Sequence, residues 1–426
     1  MGSRALRVLW FTAALPEAAR SHLGLPSAGG PLSWLDGMST GLAGRSEIEL
    51  AIASPSPIGF EPFENGGIIY FPLPDPRLSG WTPLLQGGWT GGENSAGVLA
   101  AGRGIIEFWQ PAVVHVHGTE TPLGLLAGHS RTPSLISMQG VLAGCAPAFF
   151  KGVTPRDAAA LVSSRSFFRA SGEIHGYLRL RRMVPRERLM LQRCRHIEGR
   201  TAFDEAYVRA VNPTASYHHC DEIMRPAFYG PQWRDSSIAG KASVIFTTSS
   251  AMLFKGTETL FAATSVLLRR YGRRVILRVA GAPASGEVGR FLRRRAIRSG
   301  VWSCVRWLER LDADALANEI RSCDVYAYPS HMDNSPNSLV EALLLGAPCV
   351  AARTGGIPSL IASGETGLLC TPGDAFDFAL ELQRLLVDRP LARELGRRAR
   401  GHSLARHDPD AVVARQMAIY EHVRDA

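Results

Sequence analysis

Lysine is nearly missing from this sequence. Lys151, Lys241 and Lys255 are the only three, although Lys and Arg together number 47. Arginine therefore carries the positive charge, and any lysine at a chosen position draws notice. Cysteine is sparse and scattered: Cys145, Cys194, Cys220, Cys304, Cys323, Cys349 and Cys370 form no CxxC. An odd, dispersed set excludes a disulfide framework and a zinc ribbon, and reduced thiols are expected. No run of 18 apolar residues occurs. The longest, Val340 to Ala352, carries Glu341, so no membrane span is expected. No Walker A motif is present. The glycines follow no period, which excludes collagen. Gly87-Gly88-Trp89-Thr90-Gly91-Gly92 has no helix after it and is no dinucleotide fingerprint. Arg4 and Arg7 precede Val8-Leu9-Trp10-Phe11 in the charge order of a signal sequence. That run ends at Pro16-Glu17, and a buried first strand fits it better.

What is present is ample for two cores. The chain has 426 residues, 46% of them hydrophobic, which fits two domains of ordinary size. A formal charge of +9 admits nucleic acid, anionic lipid or a phosphorylated substrate and selects none of them. Short apolar segments alternate with helical ones. Leu6–Phe11, Ile48–Ala53, Ile68–Leu73, Val113–His117 and Ser134–Met138 read as strands, and Leu32–Leu42 reads as a helix. Pro74–Asn94 reads as a long loop and Arg165–Arg200 as a basic helix. The turn-rich stretch Pro226–Gly240 reads as a linker. The pattern then restarts, with strands at Ser243–Thr248, Val275–Ala280, Val305–Leu308, Val325–Tyr328 and Cys349–Ala352. Gly256–Tyr271, Ala313–Ser322, Pro336–Leu345 and Arg398–Val423 read as helical. Strands alternating with helices predict parallel, doubly wound sheets. Two of them predict two Rossmann-like lobes with a cleft between, and ligands at the carboxyl ends of strands.

Chemistry concentrates in Tyr328 to Glu341. A strand ends in a polar loop, and a helix begins near Pro336, with Asn334 or Ser335 as its cap. A helix start of this kind suits a phosphate. Asp333 and Glu341 could grip hydroxyls at different ends of one ligand. Asp333 could equally complement the helix dipole, and Glu341 could be a buried helix residue. Lys255-Gly256 stands at the matching strand end of the same lobe, where a point cation neutralises a diphosphate. Arg353-Thr354-Gly355-Gly356 reads as a tight turn or as a close backbone approach to a ligand. Asp312-Ala313-Asp314 reads as a helix cap rather than a metal motif. His218-His219-Cys220 offers ligand types, but neighbours on a strand face opposite sides, so no zinc site is read there.

The run Asn334-Ser335-Pro336-Asn337-Ser338-Leu339, framed by Asp333 and Glu341, resembles family 4 of the retaining glycosyltransferases. So do Leu345-Gly346-Ala347-Pro348, Gly199-Arg200-Thr201 with Asp204, and Glu222-Ile223 with Arg225. The resemblance implies the GT-B fold: two Rossmann-like doubly wound parallel-sheet domains facing across a cleft. It places an acceptor domain at 1–228, a donor domain at 229–400 and a C-terminal helix, 401–426, packing back on the first. It implies that Lys255 and Gly256 bind the donor diphosphate and that Glu341 accepts ribose hydroxyls. Asp333 would hold the transferred sugar, helped by backbone of Asn334, Ser335, Pro336, Asn337 and Ser338. Trp307 and Leu308 would hold the base, and Gly29 and Gly30 would approach the diphosphate. The family usually has Glu where Asp333 stands, Arg where Ser249 and Ser250 stand, and His where Gln139 stands. Arg200 is the candidate second cation, and His117 the candidate facing the acceptor.

The implied activity is metal-independent, cofactor-free retaining transfer of a sugar from a nucleotide-diphosphate donor. The acceptor would be a glycan or lipid-linked hydroxyl, in surface polysaccharide biosynthesis. The expected partners are that donor and acceptor, with no nucleic acid. A cytoplasmic location is expected, with Arg165–Arg200 touching the anionic inner face of the membrane. A sugar-nucleotide epimerase and a non-catalytic sugar-nucleotide-binding or assembly protein are the alternatives.

Overall fold

The computed structural model describes residues 5–27, 33–75, 95–128, 131–161, 172–235, 241–282 and 285–426. Gly29, Gly30 and residues 76–94 of the stretch expected to be a loop lie outside them. The chain forms two compact units. The first comprises 1–142, 178–223 and 407–426, and the second 143–177 and 224–406. These bounds differ from the sequence-based 1–228, 229–400 and 401–426, because the chain passes between units more than once. Residues 143–177 group with the second unit, where Arg298 pairs with the buried Asp157 at 2.7 Å. Phe149 likewise meets Phe254 there.

The first unit holds β1 (Leu6–Phe11), β2 (Ile48–Pro55), β3 (Phe63–Asn65), β4 (Ile68–Leu73), β5 (Val113–His117), β6 (Ser134–Ser137), β7 (His196–Gly199) and β8 (Ser216–His219). Their order is β3-β4-β2-β1-β5-β6-β7-β8, parallel except for the short edge strand β3. Every residue of β5, β6 and β7 is buried, as a sheet covered on both faces requires. The strand β7 corrects the reading of Arg165–Arg200 as helical throughout. The helix runs Glu173–Arg193, and the chain then enters the sheet. His-Ile-Glu-Gly carries no local strand signature; pairing with β6 and β8 makes it one.

A directed line of buried hydrogen bonds crosses this sheet. Trp10 Nε1 donates to the Tyr420 hydroxyl at 2.8 Å, and that hydroxyl lies 2.7 Å from His115 Nδ1. His115 Nε2 lies 2.5 Å from Ser137 Oγ, which donates to Glu198 Oε1 at 2.7 Å. Because the serine proton goes to Glu198, His115 donates from Nε2 and receives the tyrosine proton at Nδ1. The line ties β1, β5, β6 and β7 to the helix Pro409–Asp425.

The second unit holds β9 (Ser243–Thr248), β10 (Val275–Ala280), β11 (Val305–Leu308), β12 (Val325–Tyr328), β13 (Cys349–Ala352) and β14 (Leu368–Cys370). All are parallel, in the order β11-β10-β9-β12-β13-β14. The stretch expected to be a linker sends two aromatics into the core. Phe228 is fully buried, and Trp233 donates from Nε1 to the Cys323 carbonyl at 2.7 Å. Its turn residues Pro226 and Pro231 are exposed, while Phe228 and Trp233 join the core cluster that holds the helix Asn337–Leu345. That helix carries Pro336, not Asn334 or Ser335, at its cap position, and no side chain caps it. The C-terminal helical stretch is broken into Arg389–Arg406 and Pro409–Asp425, where Asp408 accepts from the Ala411 N–H at 2.9 Å. Asp312 caps its helix through the Ala315 N–H, as read from the sequence.

Replacing Tyr420 by Phe would orphan the Trp10 donor and the His115 acceptor together. Urea unfolding is expected to show a loss of roughly 1–3 kcal/mol; an unchanged midpoint would refute the buried relay.

Candidate active site

In a doubly wound sheet the strand order reverses at one place, and a crevice opens at the carboxyl ends there. In the second unit the reversal lies between β9 and β12. Lys255 follows β9 and Asp333 follows β12. The structure brings them together: Lys255 Nζ lies 2.5 Å from Asp333 Oδ2. The Tyr328 hydroxyl donates to the same oxygen at 2.6 Å and accepts from Lys255 at 3.2 Å. Burial and the adjacent carboxylate push the Tyr328 phenol well up, so it stays a donor.

The backbone around this trio is fixed by close approach. Gly256 has φ +70°, and a Cβ there would stand 2.0 Å from the Pro329 carbonyl oxygen. Gly355 has φ +51°, and its Cβ would meet the Asp333 carbonyl oxygen at 1.9 Å. The Gly356 N–H donates to that carbonyl at 3.0 Å. The Gly355-Gly356 loop therefore holds Asp333 in place, a role the sequence left open as a turn. Beneath it His331 Nε2 lies 2.5 Å from Glu258 Oε1, both buried, which fixes the loop after β12 to the helix after Lys255. Sequence reasoning missed Tyr328, His331 and Glu258. Only the first, two steps from a buried tyrosine on β12, had a signal, because its register aims it at the strand's end.

The remaining donor-site expectations spread over the same unit. Ser338 Oγ accepts from Thr248 Oγ1 at 3.0 Å, which puts the start of the helix Asn337–Leu345 beside the end of β9. Asn334, Ser335 and Pro336 are buried in the turn ahead of it. The Asn334 N–H reaches Asp333 Oδ1 at 3.1 Å. Glu341 has a protein partner: Arg225 reaches its Oε1 from Nε at 2.8 Å and from Nη2 at 2.7 Å. Burial raises the Glu341 carboxyl to about 7 against the pull of Arg225. Trp307 and Leu308 lie on β11, two strands from β9. Trp307 meets Phe261 edge-on, and its Nε1 has no hydrogen-bond partner among the described residues. A larger hollow lined by Trp233, Arg389, Arg393 and Arg400 holds none of these residues.

His117 and Arg200 belong to the first unit. They line a pocket there with Gln139, Glu198, Glu222 and Trp34, at the carboxyl ends of β5, β6 and β7. Arg200 pairs with Glu222 at 2.8 Å and reaches the Gln139 carbonyl at 3.2 Å. His117 packs against Trp10 and Trp34, and neither ring nitrogen has a hydrogen-bond partner among the described residues. Burial drives its pKa down to about 3, so the imidazole is neutral. Burial raises Glu198 to about 7 despite the Ser137 hydroxyl.

The fold is GT-B, two parallel-sheet α/β units. Over 98% of this chain and 99% of theirs it superposes on sucrose-phosphate synthase from Thermosynechococcus elongatus, with a TM-score of 0.74 and 16% identity. The Anabaena protein HepE, solved in complex with UDP and glucose, matches with a TM-score of 0.65 and 13% identity, over 98% of this chain and all of that one. Residues 231–402 match the family model described as glycosyl transferases group 1. In sequence, D-inositol 3-phosphate glycosyltransferases from Corynebacterium jeikeium and Saccharomonospora viridis are each 31% identical, over 173 and 201 residues. Those matches cover 40% and 46% of this chain, and 41% and 46% of the relatives. The chain thus spans about half the length of the curated relatives it matches. No described helix is long and apolar enough to cross a membrane.

A carboxyl whose pKa is raised in the folded state holds its proton more tightly there than when unfolded. Its favourable contribution is therefore present in acid and lost as pH rises from 4.5 through about 7. Glu198→Gln is expected to flatten the fall of melting temperature over that window. An unaltered slope would show that Glu198 is not the group responsible.

Proposed function

We propose that this protein is a retaining glycosyltransferase that moves a sugar from a nucleoside-diphosphate donor to a hydroxyl of a glycan or lipid-linked acceptor. The observation that carries the reading is Lys255 meeting Asp333 at the sheet reversal of the glycosyl transferases group 1 region, beside an uncapped helix start. Lys255 is the cation for the departing diphosphate, and backbone N–H groups around Ser335 to Asn337 extend the positive surface. With those charges in place, the transfer needs no metal at this site. Asp333 turns from Lys255 to the hydroxyls of the sugar when phosphate takes its place. Glu341 serves the ribose hydroxyls and Trp307-Leu308 the base. The relatives named for inositol-phosphate glycosyl transfer, and the fold shared with a UDP-and-glucose complex, support a nucleotide-sugar donor.

Gln139 cannot act as a base, and His117 is neutral and poorly basic. That suits a retaining path in which the departing phosphate takes the acceptor proton while the protein positions both partners. His117 is the residue proposed to face the acceptor, and Arg200 the proposed second cation for the diphosphate. A cytoplasmic setting in surface polysaccharide assembly, with the basic segment before β7 at an anionic membrane face, completes the proposal.

Loss of a charge-assisted bond to the phosphate should cost roughly 2–4 kcal/mol. Lys255→Ala is therefore expected to lower kcat/KM for transfer by about two to three orders of magnitude, and Glu341→Gln to weaken donor binding. Wild-type kinetics in the lysine variant would remove the assigned role. Products analysed with and without acceptor separate transfer from epimerisation, and absence of turnover with every acceptor class would leave a binding protein.

A further inference from the structure

Three imidazoles from distant parts of the sequence converge in the first unit. His196 opens β7, His218 lies on β8, and His422 lies on the helix Pro409–Asp425. The parallel register pairs His196 with Ser216. Paired residues share a face and the side-chain period is two, so His218 stands on the same face as His196, one step along. His219 points the other way and pairs with Asp221 at 2.8 Å. His196 Nδ1 lies 3.1 Å from His218 Nε2. Their rings stack at 5.4 Å, and the His422 ring meets both edge-on, at 5.7 and 5.4 Å. One nitrogen from each ring falls within 4.8 Å of the others.

We propose that His196, His218 and His422 bind one divalent transition-metal ion of the zinc and cobalt class, with the fourth coordination position open to water. Tetrahedral coordination with bonds of about 2.0–2.1 Å sets ligand nitrogens roughly 3.3 Å apart. The His196–His218 pair already stands near that spacing. His422 is exposed near the end of its helix, so a side-chain rotation brings it in. Metal ligation needs neutral imidazole. Burial and the neighbouring imidazole hold His196 down at about 4, and burial and His422 lower His218. A purely imidazole set favours zinc, cobalt, nickel or copper over the oxygen-seeking magnesium and calcium. The Arg195 charge opposes binding, and its guanidinium is turned to the Ala426 carbonyl at 2.7 Å. The triplet His218-His219-Cys220 contributes only His218 to this set. The set that forms instead draws its members from two strands and a helix. An ion here would pin the sheet edge β7–β8 to the C-terminal helix, independently of the transfer chemistry.

The test uses the full chain without a histidine tag, stripped by chelator and dialysed. Titration with Co(II) is expected to give one equivalent of tetrahedral visible absorption, displaced by Zn(II), and the melting temperature should climb with Zn(II) concentration. His422→Ala, at an exposed position, should leave the metal-free melting temperature unchanged and weaken Co(II) and Zn(II) binding at least about tenfold. His218→Ala should do the same to binding. Absence of stoichiometric binding to the wild-type chain, or undiminished binding in both variants, overturns the site.

Discussion

A single ion pair organises the second unit: Lys255 against Asp333, with Tyr328 bridging them. Both charges are largely withdrawn from water, so each would be costly alone and each offsets the other's desolvation. Holding them together demands that two strand ends stop at matching heights and that their loops bend inward. Gly256 and Gly355 stand where backbone oxygens leave no room for a side chain. The buried Glu258–His331 pair locks the same loops from below. The carboxylate keeps the cation oriented.

The first unit spends its buried polarity differently. From Trp10 to Glu198, donors and acceptors follow one another across four strands with one consistent direction. Such a chain fixes the His115 tautomer, while His117, two residues on, packs between Trp10 and Trp34 with no hydrogen-bond partner for its ring nitrogens among the described residues.

Much of the architecture was legible. Val113–His117 and Val325–Tyr328 are β-branched or aromatic runs ending in loops, and they are strands. Lys255 and Asp333 were each legible as a residue of the loop after a strand in one repeating pattern, but their contact with one another was not. What stayed hidden depends on register between distant segments. The strand His196–Gly199 has polar, charged residues that only a neighbouring strand can satisfy. Trp233 looked like part of a linker because turn residues surround it, while its indole reaches Cys323 ninety positions on. Arg225 finds Glu341 across a similar gap. No spacing rule relates His196, His218 and His422, since three-dimensional closeness there comes from strand pairing and a returning helix.

That returning helix has a consequence for how the chain matures. Residues 407–426 belong to the first unit, although the whole of residues 224–406 intervenes. Tyr420, which closes the relay from Trp10 to His115, is made only after the whole of that intervening stretch. The N-terminal sheet therefore carries an incomplete polar interior while the second unit is being synthesised.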